Sequence, residues 1–541
     1  MNIGQSLCFD DVLMEPLLSN IATRSSINLE TNIATNGRSL IIKTPLISSP
    51  MDTVTETDMA IKMALNGGLG IIHRFMDIDV QVSQITKVKR FLQYIIQEPY
   101  KIVPTTTLVE IEELRNIYNV SSFCVVDNMN TNKLLGILTK RDIEYMKQKQ
   151  YDIENSIQTT IQSTNYCDGI NGINYNDSIN NNDSINDNNN MILQAYDFMS
   201  KSIITLDISM TIHSLEATLS IAKVIMLERK IEKIPIVNNG ILVGLITLNN
   251  IKHYENNKSK ACIDTNGALC VGAAIGIVDD YMERLDKLIS VGVDLICIDV
   301  ANGFNENVFK SIILIREKYK EIVLMVGNVC NWQGYQALCN YDVDCIRIGV
   351  GNGSICTTRL ETGIGKGQFS AVSECFRYKV AYNTLPHIIC DGGSLGKTGN
   401  KVKALACGSS AIMLGRTLAS TEESPGTIIY RNGKRFKYIR GMASTMANIS
   451  KQEKTENINN TNATSKLKTK FTAEGVDGEQ ELTGSVVDVI EQINGGLKSG
   501  LSYLGCENIN QLHDKSCKGE IKFNLVTSIG MSETGIRVKT Y

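Results

Sequence analysis

The pattern that most constrains this chain is a series of short runs, apolar on both faces, alternating with amphipathic helical stretches. Six runs follow one another in the C-terminal half: "ALCVGAAIG" (268–276), "DLICIDVA" (294–301), "IVLMVGNV" (322–329), "DCIRIGVG" (344–351), "HIICDGG" (387–393) and "AIMLG" (411–415). Two more, "PLISSPMD" (45–52) and "GLGIIH" (68–73), stand near the N-terminus, separated by a helical stretch from Thr55 to Asn66. Strands buried on both faces belong to a parallel sheet covered by helices. Between the runs, "DDYMERLDKLISVG" (279–292) brings Tyr281, Leu285 and Leu288 to one helix face. Eight such strands predict an α/β fold of the (β/α)8 TIM-barrel kind. An open doubly wound sheet would need an early G-x-G-x-x-G phosphate fingerprint, which the chain lacks.

The 541 residues suffice for more than one domain, and 43% hydrophobic, 21% charged and a net charge of -3 are ordinary for a soluble globular chain. The balance leaves no footprint for nucleic acid or a membrane surface. No apolar run approaches the roughly 20 residues of a membrane span. "MNIGQSLCFDDVLMEP" carries acids where a signal peptide needs an apolar core, and the ending "VKTY" is no peroxisomal signal, so a cytoplasmic location is expected. The 15 cysteines are scattered singly without a C-x-x-C pair, which predicts reduced thiols and no zinc site; the five histidines form no metal constellation.

An insertion, residues 97–258, divides the expected barrel into 1–96 and 259–541. It contains an internal repeat: "SFCVVDNMNTNKLLGILTKRDI" (122–143) is echoed by "KIPIVNNGILVGLITLNNI" (233–251). The repeat resembles a tandem pair of CBS modules, which implies binding of a purine nucleotide such as GMP, GTP or ATP. Thr139 and Asp142 match the family's ribose-contacting Thr-x-x-Asp element; the second copy reads Thr247 to Asn250 and loses the acid. A plain structural spacer is the alternative. Two asparagine-rich segments, 171–190 within an insertion near 165–192 and 448–468 within a flap near 445–470, are too polar to offset chain ordering and are expected to be disordered.

In such barrels the chemistry sits on loops at the C-terminal strand ends, with phosphate held after the last two strands. Asp391-Gly392-Gly393 follows the seventh run and Gly415-Arg416 the eighth. Glycines let backbone N–H groups approach phosphate, and Asp391 is a candidate acceptor from ribose hydroxyls. The loop "GVGNGSICTTR" (349–359) follows the sixth run and opens on the same face, with Ser354 as a hydroxyl donor. A cysteine on such a loop reads as a nucleophile, whereas Cys297, Cys345 and Cys390, inside strands, read as packing.

Together "FDDVLMEP" (9–16), "SSPMDTVTE" (48–56), "GNV" (327–329), "GNGSICTTR" (351–359), "DGG" (391–393), "STEESPG" (420–426) and "RGMAS" (440–444) resemble the IMP dehydrogenase/GMP reductase family over nearly the whole chain. The resemblance implies an oxidoreductase in which Cys356 attacks carbon 2 of a purine nucleotide (GMP or IMP) and a nicotinamide cofactor exchanges hydride there. It further implies that Thr358 and Glu474 handle the proton. The nucleotide would be bound by Ser354, Asp391, Gly392, Gly393, Gly415, Arg416, Gly441 and Met442. Asp299 would lie at the nicotinamide end, with Asn302 and Gly303 shaping its loop. Carbonyls of Gly351, Gly353 and Cys356 would hold a monovalent cation, K+. A homotetramer, or an octamer, is implied as well.

Two features favour the reductase over the dehydrogenase. The stretch from Met442 to Phe471 has neither the arginine nor the tyrosine that dehydrogenases use to activate water. "IDVANGFNEN" (298–307) is similar to the reductase version of the fourth-strand loop. The expectation is an NADPH-dependent GMP reductase regulated at the CBS pair, with IMP dehydrogenase and a non-catalytic nucleotide sensor as alternatives. Asn352, where the family commonly has proline, is expected to loosen the nucleophile loop. Ile439 stands where dehydrogenases often place a phosphate-binding tyrosine, with Tyr438 beside it as a possible substitute.

Overall fold

The computed structural model describes residues 4–92, 94–118, 120–165, 193–207, 215–278, 280–394, 396–442, 474–527 and 530. The asparagine-rich stretches 171–190 and 448–468 lie outside these. The chain forms two compact units, 1–92 with 256–541, and 93–255.

The first unit is built on a closed barrel of eight strands, every neighbouring pair parallel. The strands are β1 (Leu46–Ser48), β2 (Leu69–Ile72), β3 (Val271–Ile275), β4 (Leu295–Asp299), β5 (Val323–Val329), β6 (Cys345–Ile348), β7 (His387–Asp391) and β8 (Ala411–Leu414). All eight fall inside the apolar runs, and closure excludes the open sheet. Helices cover the outside: the stretch read as 279–292 is helical over Tyr281–Ser290 and buries Leu285 and Leu288. Helix Val486–Tyr503, the last of the ring, packs against Thr398–Ala406 and Thr57–Leu65.

Strand alternation sorts the side chains between two cores. Ile296 and Ile298 of β4, Ile346 and Ile348 of β6, and Ile388 and Cys390 of β7 pack outward beneath the helices. Leu295 and Cys297, Cys345, and Ile389 fill the barrel interior. With a period of two, the next inward positions are Asp299, Arg347 and Asp391. Each of these three strands therefore delivers a charged side chain to the interior at its C-terminal end.

Beyond β8, strands β9 (Ile428–Arg431), β10 (Lys434–Arg440) and β11 (Asp477–Glu481) form an antiparallel sheet. It brings Gly441 and Met442 back over the barrel mouth.

The second unit repeats one topology. Lys101–Ile102 pairs parallel with Phe123–Val126, which pairs antiparallel with Leu134–Leu138. Leu206–Asp207, Lys233–Asn238 and Ile241–Thr247 do the same. The repeat extends to a register shift at Val125/Val126 in one copy and Ile236/Val237 in the other.

At the opposite end of the barrel His387 begins β7, its Nδ1 2.8 Å from Ser410 Oγ. Burial, chiefly, pushes its pKa down to about 4, so the folded state holds it neutral. The unfolded state takes up a proton below pH ~6.5, so stability is complete above that value and falls as pH drops towards 4. The loss from this residue is on the order of 3 kcal/mol. His387→Gln should flatten the acid limb of a urea-denaturation series between pH 6.5 and 4.5; an unchanged limb would remove His387 from it.

Candidate active site

Arg347 is the centre of the arrangement. Its guanidinium donates through Nη1 to Asp299 Oδ1 at 2.6 Å and through Nη2 to Asp391 Oδ2 at 2.8 Å. Burial works against its charge, and the two carboxylates, Asp391 foremost, outweigh that and hold the group firmly protonated. Asn328 donates a second bond to Asp391 Oδ2, at 2.8 Å, and one to the Gly349 carbonyl at 2.7 Å. Gly327 makes room for this: a Cβ there would meet the Arg347 Cβ at 2.5 Å. The described bonds to these acids use one oxygen each, so Asp299 and Asp391 can turn the other towards the cavity they line.

That cavity, of about 420 Å³, opens at the C-terminal strand ends. It is lined by Cys356, Thr358 and Glu474 together, from two distant places in the chain. Cys356 Sγ lies 3.1 Å from Thr358 Oγ1. Thr358 opens the short helix Thr358–Thr362, whose N-cap position is taken by Thr357. The hydroxyl of Thr358 is thus not needed for capping and faces the thiol. Glu474 arrives on a segment laid against the nucleophile loop: Thr357 N–H donates to the Glu474 carbonyl at 2.9 Å, Val476 N–H to Ile355 at 3.0 Å. Gly441 N–H donates to Val476 at 3.1 Å, so this segment runs between the end of β10 and the nucleophile loop.

Ser354, Asp391, Gly392, Gly393, Gly415, Arg416, Gly441 and Met442 all line the same cavity, as do Gly351 and Gly353. Gly392 and Gly393 have φ of +81° and +77°, a backbone form that costs other residues strain. Asp299 lines it too. Asn302 and Gly303 do not: Gly303 N–H donates to the Asn328 carbonyl at 2.7 Å, and Asn302 Oδ1 accepts from Phe304 N–H at 3.1 Å, so they shape the loop from behind. Asn352 has definite partners: its side chain meets Gln368 and Arg359, and its carbonyl accepts from Gly393 N–H. These contacts restrain the loop that loss of proline was expected to loosen. Ile439 is buried while Tyr438, one residue earlier on β10, points to the other side, so it does not take Ile439's place. Cys297, Cys345 and Cys390 are buried, and burial raises their thiols above the usual range. Among the described residues no group of three or more His, Cys, Asp or Glu suits a metal ion, and no helix is long and apolar enough to cross a membrane.

Sequence reasoning missed Arg347 and Arg74. Arg347 is the one charge within the strand Cys345–Ile348, and its inward register was the available signal. Arg74, after β2, lines the cavity with its guanidinium 5.1 Å from the Phe75 ring centre. Its Nε is buried and has no partner among the described residues. A cation lining a cavity with no acid partner among the described residues suits an anionic ligand, and the open oxygen of Asp299 suits a hydroxylated one. The donor set therefore fits a phosphate-bearing nucleotide cofactor.

In the second unit, Asp142 Oδ2 accepts from Thr139 N–H at 2.8 Å and from its hydroxyl at 2.7 Å. Asn250 does the same for Thr247 through Oδ1, with a backbone bond of 3.1 Å. The second copy keeps the turn and changes only the group's charge.

Residues 6–537 match the family described as IMP dehydrogenase / GMP reductase domain. An inosine-5'-monophosphate dehydrogenase of Nitrosopumilus maritimus is 35% identical over 526 residues, 95% of this chain and 96% of the relative. One from Bacillus subtilis is 34% identical over 533 residues, 98% and 95% of the two chains. Among solved structures, a cysteine-to-alanine variant of GMP reductase from Trypanosoma brucei in complex with guanosine 5'-monophosphate superposes with a TM-score of 0.76 at 30% identity, covering 99% of this chain and 98% of that one. The Trypanosoma brucei enzyme in complex with guanosine 5'-triphosphate gives a TM-score of 0.67 at 27% identity, covering 97% and 99%.

Replacing Arg347 by Met would leave two acids facing each other without a counter-charge. The expected cost is about 3–5 kcal/mol of unfolding free energy, and the triple variant Arg347→Met/Asp299→Asn/Asp391→Asn should recover part of it. Chemical denaturation measures both; an Arg347→Met protein as stable as the parent contradicts the clasp.

Proposed function

The chain belongs to the IMP dehydrogenase/GMP reductase family, whose named members are oxidoreductases acting on purine nucleotides with a nicotinamide cofactor, and within it we propose a GMP reductase. The reading is that it converts GMP and NADPH to IMP, ammonia and NADP. The observation that carries it is the absence of any arginine or tyrosine between Met442 and Phe471. Hydrolysis of a covalent purine adduct needs a base for water, and a side chain that is missing cannot supply one.

In this reading Cys356 Sγ bonds carbon 2 of the purine, and Thr358, at 3.1 Å from that sulfur, with Glu474 moves the proton that leaves with ammonia. A bound NADPH supplies the hydride that replaces the amine and lets the thiolate depart. Asp391 holds the ribose; Ser354, Gly392, Gly393, Gly415 and Arg416 hold the phosphate; Gly441 and Met442 present backbone to the base. Asp299 and Arg74 hold the cofactor, and Asn302 and Gly303 keep the loop in shape. Carbonyl oxygens of Gly351, Gly353 and Cys356 suit a hard monovalent cation such as K+. Residues 97–258 are proposed as a regulatory CBS pair that binds GMP, GTP or ATP through Thr139 and Asp142, in a homotetramer or octamer of cytoplasmic location.

Absorbance at 340 nm decides the reaction. NADPH consumption that requires GMP is expected; NADH formation from IMP and NAD would assign the dehydrogenase instead, and silence in both with nucleotide binding intact would leave a sensor. Cys356→Ala should lose turnover by about a thousandfold or more while its nucleotide Kd, by calorimetry, changes little. Turnover near that of the parent would take Cys356 out of the reaction.

A further inference from the structure

The half-buried pair Asp52–Arg440 is not used by the chemistry above. Asp52 lies in the loop after β1, with its side chain 9% exposed, and Arg440 is the last residue of β10, at 22%. Arg440 Nε donates to Asp52 Oδ2 at 2.7 Å and Nη2 reaches the same oxygen. The other carboxylate oxygen, Oδ1, is buried and has no partner among the described residues. Such an oxygen costs its desolvation without return, so this pair is not arranged for stability alone.

Its place in the fold says what else it does. Two more contacts join the same segments: Arg440 N–H to Thr53 Oγ1 at 3.4 Å and Asp52 N–H to Met442 Sδ at 3.5 Å. Immediately after Arg440, Gly441 N–H holds Val476, Val476 N–H holds Ile355, and Thr357 N–H holds Glu474. The segment bearing Glu474 is thus gripped from two sides. The nucleophile loop grips it on one, and the end of β10 on the other. The second grip is fixed to the barrel by Asp52.

We propose that Asp52 is a positioning residue: through Arg440 it anchors the end of β10 and so sets Glu474 against Cys356 and Thr358. It touches neither substrate nor cofactor in this account, and it does not line the cavity. Loosening the anchor leaves the ribose, phosphate and cofactor groups in place, since those come from other strand ends. It shifts Glu474, together with Gly441 and Met442 beside it, and uncovers the nucleophile loop.

The proposal rests on the site as read above but not on the direction of the reaction. Asp52→Asn in the full-length protein should lower kcat about tenfold or more while the KM for the cofactor stays within about twofold. Iodoacetamide labelling of Cys356, followed by mass spectrometry of the peptide 348–359, should run about threefold or more faster, because the covering segment is loosened. Labelling needs no turnover, so if neither nucleotide–cofactor pair reacts, the proposed activity fails and labelling alone decides this proposal. Should Asp52→Asn not give a cooperative melt, Arg440→Gln breaks the same pair from the other side and must give the same changes. Unchanged labelling in a folded variant, or KM values that rise with kcat intact, overturns the proposal.

Discussion

A guanidinium held between two carboxylates inside a barrel is the interaction on which the rest of this site depends. Arg347 is buried where an isolated charge would be prohibitive, and Asp299 and Asp391 make it tolerable. The arrangement takes three strands, β4, β6 and β7, in fixed register, because each contributes its charge at the inward position of its C-terminal end. It also requires Gly327 on the intervening β5, where a side chain would collide with Arg347. Asn328 then completes the bonds to Asp391 and reaches the Gly349 carbonyl, at the start of the nucleophile loop. The clasp is therefore tied to the loop that carries Cys356.

The proposed nucleophile and the two residues proposed to handle its proton are assembled differently. Cys356 and Thr358 are neighbours on one loop, but Glu474 lies more than a hundred residues further on, and backbone bonds to Thr357 and Ile355 bring its segment back to them. A site of this kind has a rigid half, made by strand ends, and a half laid over it. The rigid half is common to nucleotide binding whichever way hydride moves. The proposed direction of the reaction rests instead on composition, since the stretch after Met442 supplies no arginine or tyrosine to activate water.

The barrel was legible because strands buried on both faces are written as continuous apolar runs, and all eight runs contained one. The site was legible where loop position alone implied chemistry, as at Cys356, Asp391 and Gly415. Arg347 was not picked out, since a single arginine within "DCIRIGVG" carries no pattern of its own; only the period-two register, shared with Asp299 and Asp391, marks it. Asp52 and Arg440 are 388 positions apart, and no local signal pairs residues at that distance. The helix after the nucleophile loop starts at Thr358 with Thr357 in the N-cap position, a detail of one residue that leaves the Thr358 hydroxyl beside a thiol. Asn352 was judged by the rigidity proline would bring, whereas its side-chain contacts to Gln368 and Arg359 arise only from the fold.

The central claim is that Cys356 is the nucleophile towards the purine, set among residues that the strand ends bring together. Acid quenching during turnover with GMP and NADPH, followed by trypsin and mass spectrometry, tests it most directly. The account predicts a purine nucleotide mass on the peptide 348–359, whose only cysteine is Cys356. The same mass on a peptide carrying another cysteine, or turnover with no cysteine carrying it at any quench time, would contradict it.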